Sequence, residues 1–434
     1  MSDRTRATRA PFASASASAS ATATAVVEHR DRNAVRFDDR VGTSTPEVSI
    51  VMPCLNEADT LGACIAKALR ALADSGIDGE VIIADNGSTD GSQHIALSMG
   101  ARVVDVTTRG YGNALKGGIE AARARFVIMG DADDSYDFAE IPKFVYKLRE
   151  GFQLVQGCRL PSGGGTVKPG AMPVLHRWWG NPGFSMLARW WFQAPVHDVY
   201  CGMRGFTREL YNRLELRSPG MEFATEMIIK ASRYAESISE VPITLHPDGR
   251  KSHPPHLKTF RDGWRTLRFY LMHCPRWLFL EPGKLMIALG LIGYALALPG
   301  VRLGHAQLDL NALVLASLAI LCGQQAVLFA IGTKVVAINS GSCPPDPRIT
   351  QFFKIATLER GLLLGGVALG TGLAMIGVVA RYWIKVDFGN LDHETTMRWV
   401  IPGATLTAAG LQTMLSSFFI SIIGTFDRLR SNGK

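Results

Sequence analysis

The stretch Gly130-Asp131-Ala132-Asp133-Asp134 closes a short apolar run, Phe126–Met129. Two carboxylates at i and i+2 can point at one hard cation. Mg²⁺ or Mn²⁺ takes oxygen ligands and typically completes its shell with substrate phosphates. Such a cation would offset charge building on a departing phosphate. A solvated acidic turn has the same composition, so the pair alone decides little. Two further polar clusters also follow apolar runs. Pro53-Cys54-Leu55-Asn56-Glu57 comes after residues 47–52, and Asp85-Asn86-Gly87-Ser88-Thr89-Asp90-Gly91 comes after 80–84. Locally the second reads as a tight turn with a helix cap, because Asp and Ser bond nearby backbone and Gly supplies positive φ. That reading is compatible with a ligand site.

The elements that must position these clusters are legible. Residues 47–52 (EVSIVM), 80–84 (EVIIA), 102–106 (RVVDV) and 126–129 (FVIM) are β-rich and apolar. Between them, 58–73 carries Leu61, Ile65, Leu69 and Leu72 at helical spacing, and helices are expected near 92–99 and 112–124. Strand and helix alternating at this rhythm imply a mostly parallel sheet with helices on both faces. Ligands bind such sheets at the carboxyl ends of the strands, where all three clusters fall.

The chain has 434 residues and a net charge of +8, which suits two or three parts. Its basic residues crowd beside apolar runs, favouring a membrane surface over nucleic acid. Seven cysteines without a CxxC pair read as reduced, mostly buried small residues. His246, His253 and His256 lie among prolines, which preorganise a metal site poorly. Residues 1–45 read as a disordered low-complexity tail, since alternating Ala and Ser is too polar for a signal peptide. Residues 257–282 alternate Lys258, Arg261, Arg265 and Arg268 with Phe260, Trp264, Leu267 and Leu271, as an interfacial amphipathic helix does. Trp178, Trp179, Trp190 and Trp191 suit the same interface or a polyprenyl entry.

Apolar stretches at 285–301, 312–338, 362–384 and 400–423 are each long enough to cross a bilayer. Lys and Arg concentrate in 257–284, in loop 340–360 and in the tail. This bias places the soluble domain and the C-terminus on the cytoplasmic side of an inner membrane. Gly366, Gly370 and Gly377 fall on one face of the third span, which suits packing into a homo-oligomer.

The succession VSIVMPCLNE, ADNGSTDGS, GYGNALKGGI and MGDADDSYDF resembles the family-two inverting glycosyltransferases of the GT-A fold. Within them it is similar to bacterial polyprenyl-phosphate glucosyltransferases and dolichyl-phosphate mannose and glucose synthases. QGCR, DVYCGMRGF, GMEFATEM and VPITLHPDGRKS extend the match across about residues 47–280. The fold implied is an α/β, Rossmann-like GT-A mixed-sheet domain at 46–256. The chain would continue through interfacial helices at 257–282 into an all-α transmembrane domain of about four helices at 283–434.

The resemblance also implies roles. Pro53, Leu55 and Glu57 would line the nucleotide pocket. Asp85 would hydrogen-bond the base, with Asn86 and Asp90 nearby. Asp131 and Ala132 would contact the nucleotide-sugar, and Asp131 and Asp133 would hold Mg²⁺ or Mn²⁺. Arg250 and Lys251 fall where the family clamps the diphosphate. Ser135 stands where dolichyl-phosphate mannose synthases commonly carry Gln, so a third protein ligand to the metal does not carry over. Asp198 falls where the bacterial enzymes place an acid close to the reacting centre, as a base or as an orienter. A phosphate acceptor is mostly an anionic nucleophile at pH 7, its second pKa being about 6. Arg159 and Arg204 are candidates for gripping that phosphate bidentately, or for surface ion pairs. Glu222 and Glu226, four apart on one helix face, suit sugar hydroxyls or helix N-terminal charge.

The implied reaction moves a hexose, UDP-glucose being the first candidate donor, onto a polyprenyl phosphate beside a lipid bilayer, with inversion. A processive polysaccharide synthase would carry a QxxRW motif before its membrane gate, and the sequence has none. A flippase with a binding-only soluble domain would need polar groups at mid-depth, for which Gln324 and Gln325 are the strong candidates.

Overall fold

The computed structural model describes residues 45–250, 259–303, 306–307, 309–339 and 346–431. The low-complexity tail, Lys251, Lys258, His253, His256 and Cys343 lie outside the described residues.

The first half alternates strand and helix as the pattern requires: β1 (Val48–Cys54), α1 (Leu61–Asp74), β2 (Gly79–Asp85), α2 (Ser92–Ser98), β3 (Arg102–Asp105), α3 (Tyr111–Ala121) and β4 (Phe126–Met129). Helix α3 stops short of residue 124 because Ala122 turns to an extended backbone with ψ 138°. Strand β1 runs through Pro53, a residue that donates nothing to a ladder. Its pairing with β4 has already ended at Val51 opposite Met129. Next come α4 (Ile141–Arg149), β5 (Leu154–Cys158), β6 (Thr166–Val167), α5 (Asn181–Phe192), β7 (Arg204–Thr207), α6 (Arg208–Leu214), α7 (Glu222–Arg233), β8 (Ile238–Pro242) and β9 (Thr244–Leu245).

Among the described residues these strands build a seven-stranded sheet in the order β3-β2-β1-β4-β7-β5-β8. Strands β3, β2, β1 and β4 are parallel, and β7 runs antiparallel to both β4 and β5. The sheet is therefore mixed, as the GT-A fold demands. Alternation along β1 sends Ile50 and Met52 to one face, against Leu61, Ile65 and Phe138. Val51 goes to the other face, with Leu115, Ile119 and Phe206. On that second face α3 lies very close to the sheet. A Cβ on Gly118 would stand 2.5 Å from a Val51 methyl, so glycine sets the depth of α3 and its N-terminal Tyr111.

Beyond the sheet lie α8 (Thr259–His273), a π-helical turn (Arg276–Leu280), α9 (Glu281–Ala297) and a β10–β11 ribbon (Arg302–Leu303, Ala306–Gln307). Helices α10 (Leu310–Asn339), α11 (Pro347–Ile355), α12 (Leu358–Lys385) and α13 (His393–Ser431) complete the chain. Among the described residues, four helices are long and apolar enough to cross a membrane. Three of them contain the stretches 312–338, 362–384 and 400–423, whereas the helix under 285–301 ends at Ala297, four residues short.

They pair through small residues, as helices do where lipid is the solvent. Gly372 of α12 faces Gly403 of α13 so closely that a Cβ would stand 2.4 Å from the Gly403 carbonyl. Gly290 of α9 meets Ala316 of α10 in the same way. Gly366, Gly370 and Gly377 face away from these contacts, with nothing within 4 Å of a built Cβ. Gln324 donates to the Ala409 carbonyl and to the Thr413 hydroxyl, and Gln325 accepts from Gln412. These amides tie α10 to α13.

Candidate active site

Asp131 and Asp133 follow β4 directly, at the carboxyl end of the parallel strands. The Tyr111 hydroxyl donates to Asp131 Oδ1 at 2.7 Å. Asp131 Oδ2 lies against Gly202, where a Cβ would stand 2.7 Å away. Burial pushes the Asp131 carboxyl up to about 6, and the Asp133 charge adds to the rise. Asp133 Oδ1 accepts from the Ser135 amide at 3.0 Å and its hydroxyl at 2.6 Å. Asp133 Oδ2 meets Arg250 Nη2 at 3.1 Å. Asp134 takes a left-handed backbone, φ 60°, which turns its carboxylate away to Lys67 at 2.7 Å.

Arg250 is the cationic centre of this cluster. Beyond Asp133 it donates to Glu57 at 3.0 Å and to Asp248 through both Nε and Nη2. Its side chain is 9% exposed. Glu57, Asp131, Asp133 and Asp248 are four carboxylates around this single guanidinium, so the cluster carries excess negative charge. Among the described residues no three His, Cys, Asp or Glu side chains converge on one metal position. Two hard carboxylates in a cluster rich in acids fit a cation that takes its remaining ligands from phosphate.

A carboxylate ligates a cation only when ionised, so a pH dependence is predicted for the metal site expected at Asp131 and Asp133. With UDP present, Mn²⁺ affinity should rise with pH through about 6 and level off by neutral pH. At pH 5 it should be roughly tenfold weaker than at pH 7, read by Mn²⁺ electron paramagnetic resonance.

The two upstream clusters are zipped together. The Asn56 amide donates to Ser88 Oγ at 2.9 Å, the Glu57 amide to Ser92 Oγ at 3.0 Å and the Ala58 amide to Asp90 Oδ2 at 2.9 Å. Asp85 accepts from the Gly87 and Ser88 amides and from Gln93 Nε2 at 2.6 Å. Asn86 donates to the Val106 and Thr108 carbonyls and accepts from the Gly110 amide at 2.7 Å. The turn-forming reading of this motif thus describes its side chains well. Pro53 and Leu55 are half-buried, and Ala132 is buried with its carbonyl bonded to Thr60 Oγ1 at 2.7 Å.

Asp198 and Arg159 form a buried bidentate pair, at 2.7 and 2.9 Å, to which the Arg159 amide adds a third bond. Asp198 has no exposed surface. Glu240 Oε1 accepts the amides of both His197 and Asp198 and so holds this turn. Arg204 corrects the expectation for an acceptor-phosphate ligand. It has no exposed surface, and its Nη atoms are spent on the Ala224 and Cys201 carbonyls. Its place on β7, between β4 and β5, buries it in mid-sheet.

Glu226 corrects the sugar-hydroxyl expectation. It accepts the Arg217 and Ser218 amides and pairs with buried Lys230 at 2.9 Å. Glu222 keeps partial exposure, with Arg265 of α8 at 3.9 Å. Burial raises the Glu226 pKa, but Lys230 and the Ser218 amide outweigh it and hold the group below its ordinary range. Its stabilisation is present above the unfolded carboxylate pKa, about 4.3, and is lost as pH falls through the lower folded value. Glu226→Gln should therefore cost about 1–3 kcal/mol at neutral pH, because Lys230 loses its counter-charge but keeps the Leu214 and Glu215 carbonyls at 2.9 and 2.8 Å, as thermal melting would show.

Glu226 matters because the turn it holds presses on α3. The Pro219 carbonyl accepts the Gly112 amide at 2.9 Å, and a Cβ on Gly112 would strike the Ser218 carbonyl at 2.4 Å. This seats Tyr111 over Asp131. Tyr111 and Tyr136, whose hydroxyl accepts from the Gly202 amide at 2.8 Å, were not marked by spacing. An aromatic hydroxyl directly after a glycine at a helix start was the available signal for Tyr111.

Among the described residues six cysteines are free and five of them are buried, and burial pushes the Cys201 thiol up to about 12. Trp178, Trp179 and Trp190 are exposed, as are Phe260 and Trp264. Trp190 packs on Trp277 with ring centroids 4.0 Å apart.

Residues 49–215 match glycosyl transferase family 2, and residues 331–424 match the glycosyltransferase family 2 C-terminal transmembrane region. The low-salt glycan biosynthesis hexosyltransferase Agl6 of Haloferax volcanii is 36% identical over 380 residues, which is 87% of this chain and 89% of that one. A dolichyl-phosphate hexose transferase of the same organism is 34% identical over 199 residues, 45% of this chain and 82% of that one. Glucosyl-3-phosphoglycerate synthase from Mycobacterium tuberculosis, solved with Mg²⁺ and uridine diphosphate, is 23% identical at a TM-score of 0.43. That match covers 53% of this chain and 79% of that one. The chain belongs to glycosyltransferase family 2 and is an integral membrane protein.

Proposed function

We propose that the protein transfers a hexose from a nucleotide-sugar, UDP-glucose being the first candidate, to a polyprenyl phosphate at the cytoplasmic membrane face, with inversion. The observation that carries this reading is the carboxylate pair after β4, with Arg250 bridging it to Glu57. The hexosyl and lipid-phosphate assignments rest on the names of the two Haloferax relatives. The catalytic domain would span 46–256, the interfacial helices 257–282 and the membrane domain 283–434. The Lys and Arg bias supports a cytoplasmic catalytic domain and C-terminus. Exposed Trp178, Trp179, Trp190, Phe260 and Trp264 suit the headgroup level.

In the reaction an acceptor phosphate oxygen bonds to the anomeric carbon as the bond to the nucleoside diphosphate breaks. The acceptor arrives as an anion, so no strong base is needed. Asp198, enclosed and paired with Arg159, serves this scheme as an orienter of Arg159 and of the 197–201 turn. Asp131 and Asp133 would hold Mg²⁺ or Mn²⁺, which when bound would offset charge on the leaving diphosphate. Tyr111 fixes the Asp131 carboxylate for that task, and Arg250 supplies a guanidinium suited to phosphate.

The test is incubation of purified protein with labelled nucleotide-sugars and polyprenyl phosphate. One hexose per lipid, of inverted anomeric configuration, is expected. Long polymers would favour a processive synthase, and lipid flipping without any transfer would favour a transporter.

A further inference from the structure

Arg250 holds an Asp133 oxygen that a cation at this carboxylate would share. Asp133 Oδ1 is already engaged by Ser135, and Oδ2 is engaged by Arg250 Nη2 at 3.1 Å. Oδ1 is filled by the two Ser135 bonds, so a cation reaching Asp133 comes to Oδ2, where it meets the guanidinium charge at hydrogen-bond distance. The guanidinium is the movable partner, because Asp248, two residues away, grips it through Nε and Nη2 at 2.9 and 2.6 Å. That grip can persist when the Asp133 contact is given up.

We propose that Arg250 is a resident counter-cation of the donor site, exchanged for the divalent ion only when a diphosphate offers the guanidinium a new partner. The proposal rests on the donor-site reading above. Metal and nucleoside diphosphate then bind as one coupled event, and neither is held well alone. Arg is suited to the exchange, since its planar fork fits carboxylate and phosphate alike. Coupling of this kind is reciprocal: the factor by which the nucleotide tightens the metal equals that by which the metal tightens the nucleotide.

The experiment titrates Mn²⁺ into the purified full-length protein, with and without UDP, by electron paramagnetic resonance. The wild type should bind Mn²⁺ weakly alone and much more tightly with UDP. Arg250→Gln should bind Mn²⁺ alone about tenfold more tightly than the wild type, since a charged hydrogen bond no longer competes. Its gain from UDP should shrink accordingly. Arg250→Lys, which keeps the charge but not the fork, should fall between the two and serves if the Gln variant melts early. Lys67→Gln controls for a general field effect, because Lys67 pairs with neighbouring Asp134 rather than Asp133. It should behave as the wild type does. Equal tightening by Lys67→Gln, or none by Arg250→Gln while the wild type still binds Mn²⁺ with UDP, overturns the exchange alone. Absence of Mn²⁺ binding in every protein, UDP included, overturns the donor-site reading and the exchange with it.

Discussion

Asp131→Asn should lower hexosyl transfer about a thousandfold while leaving the melting temperature unchanged or slightly raised. The two effects have separate causes. An amide is a far poorer ligand for a hard cation than a carboxylate, and a metal supplies several kcal/mol of charge stabilisation to such a step. Losing about 4 kcal/mol corresponds to roughly a thousandfold in rate. The fold itself gains nothing from the ionised form, because burial and Asp133 push this carboxyl up. A neutral isostere keeps an oxygen for the Tyr111 hydroxyl and removes that repulsion. Labelled transfer to polyprenyl phosphate and thermal melting, measured on one preparation, check both halves. A large drop in melting temperature would show that Asp131 is structural.

Asp198→Asn should behave in the opposite way, with stability and activity failing together. The pair with Arg159 is buried and bidentate, so removing the charge leaves a guanidinium only 10% exposed without its counter-charge. Breaking such a pair costs about 3–5 kcal/mol. Replacing Arg159 as well, by Met, should recover much of the melting temperature but not the transfer, because neighbouring partners couple. A base at Asp198 would give another pattern, in which transfer is lost, melting is intact and the rate–pH profile loses a limb. Melting curves of the single and double variants separate the two.

The sheet and the membrane helices were legible because both leave apolar runs of characteristic length in the sequence. Short continuous apolar, β-branched runs at 48–54, 79–85 and 102–105 and helical spacing over Leu61, Ile65 and Leu72 report burial directly. The four spans are legible from length and apolarity. The antiparallel course of β7 was not, since Arg204-Gly205-Phe206-Thr207 has no alternation that distinguishes direction. Residue type singled out Asp131 and Asp133, and the structure sets both directly after β4 with their charges close enough to interact. A carboxylate or guanidinium alone does not say what it faces. Glu226 looked free for a sugar until Lys230, one helical turn away, proved to be its partner. Arg204 looked available for phosphate until its strand proved to lie in mid-sheet. Tyr111 reaches Asp131 across 20 residues of sequence, a contact that only the close approach of α3 to β1 creates.

Anomalous diffraction from crystals grown with Mn²⁺ and UDP tests the central claim most directly. A peak is expected at about 2.1 Å from carboxylate oxygens of both Asp131 and Asp133, with the diphosphate beside it. UDP bound in the cleft with no ion at these carboxylates, or a peak at some other cluster of the molecule, would contradict it.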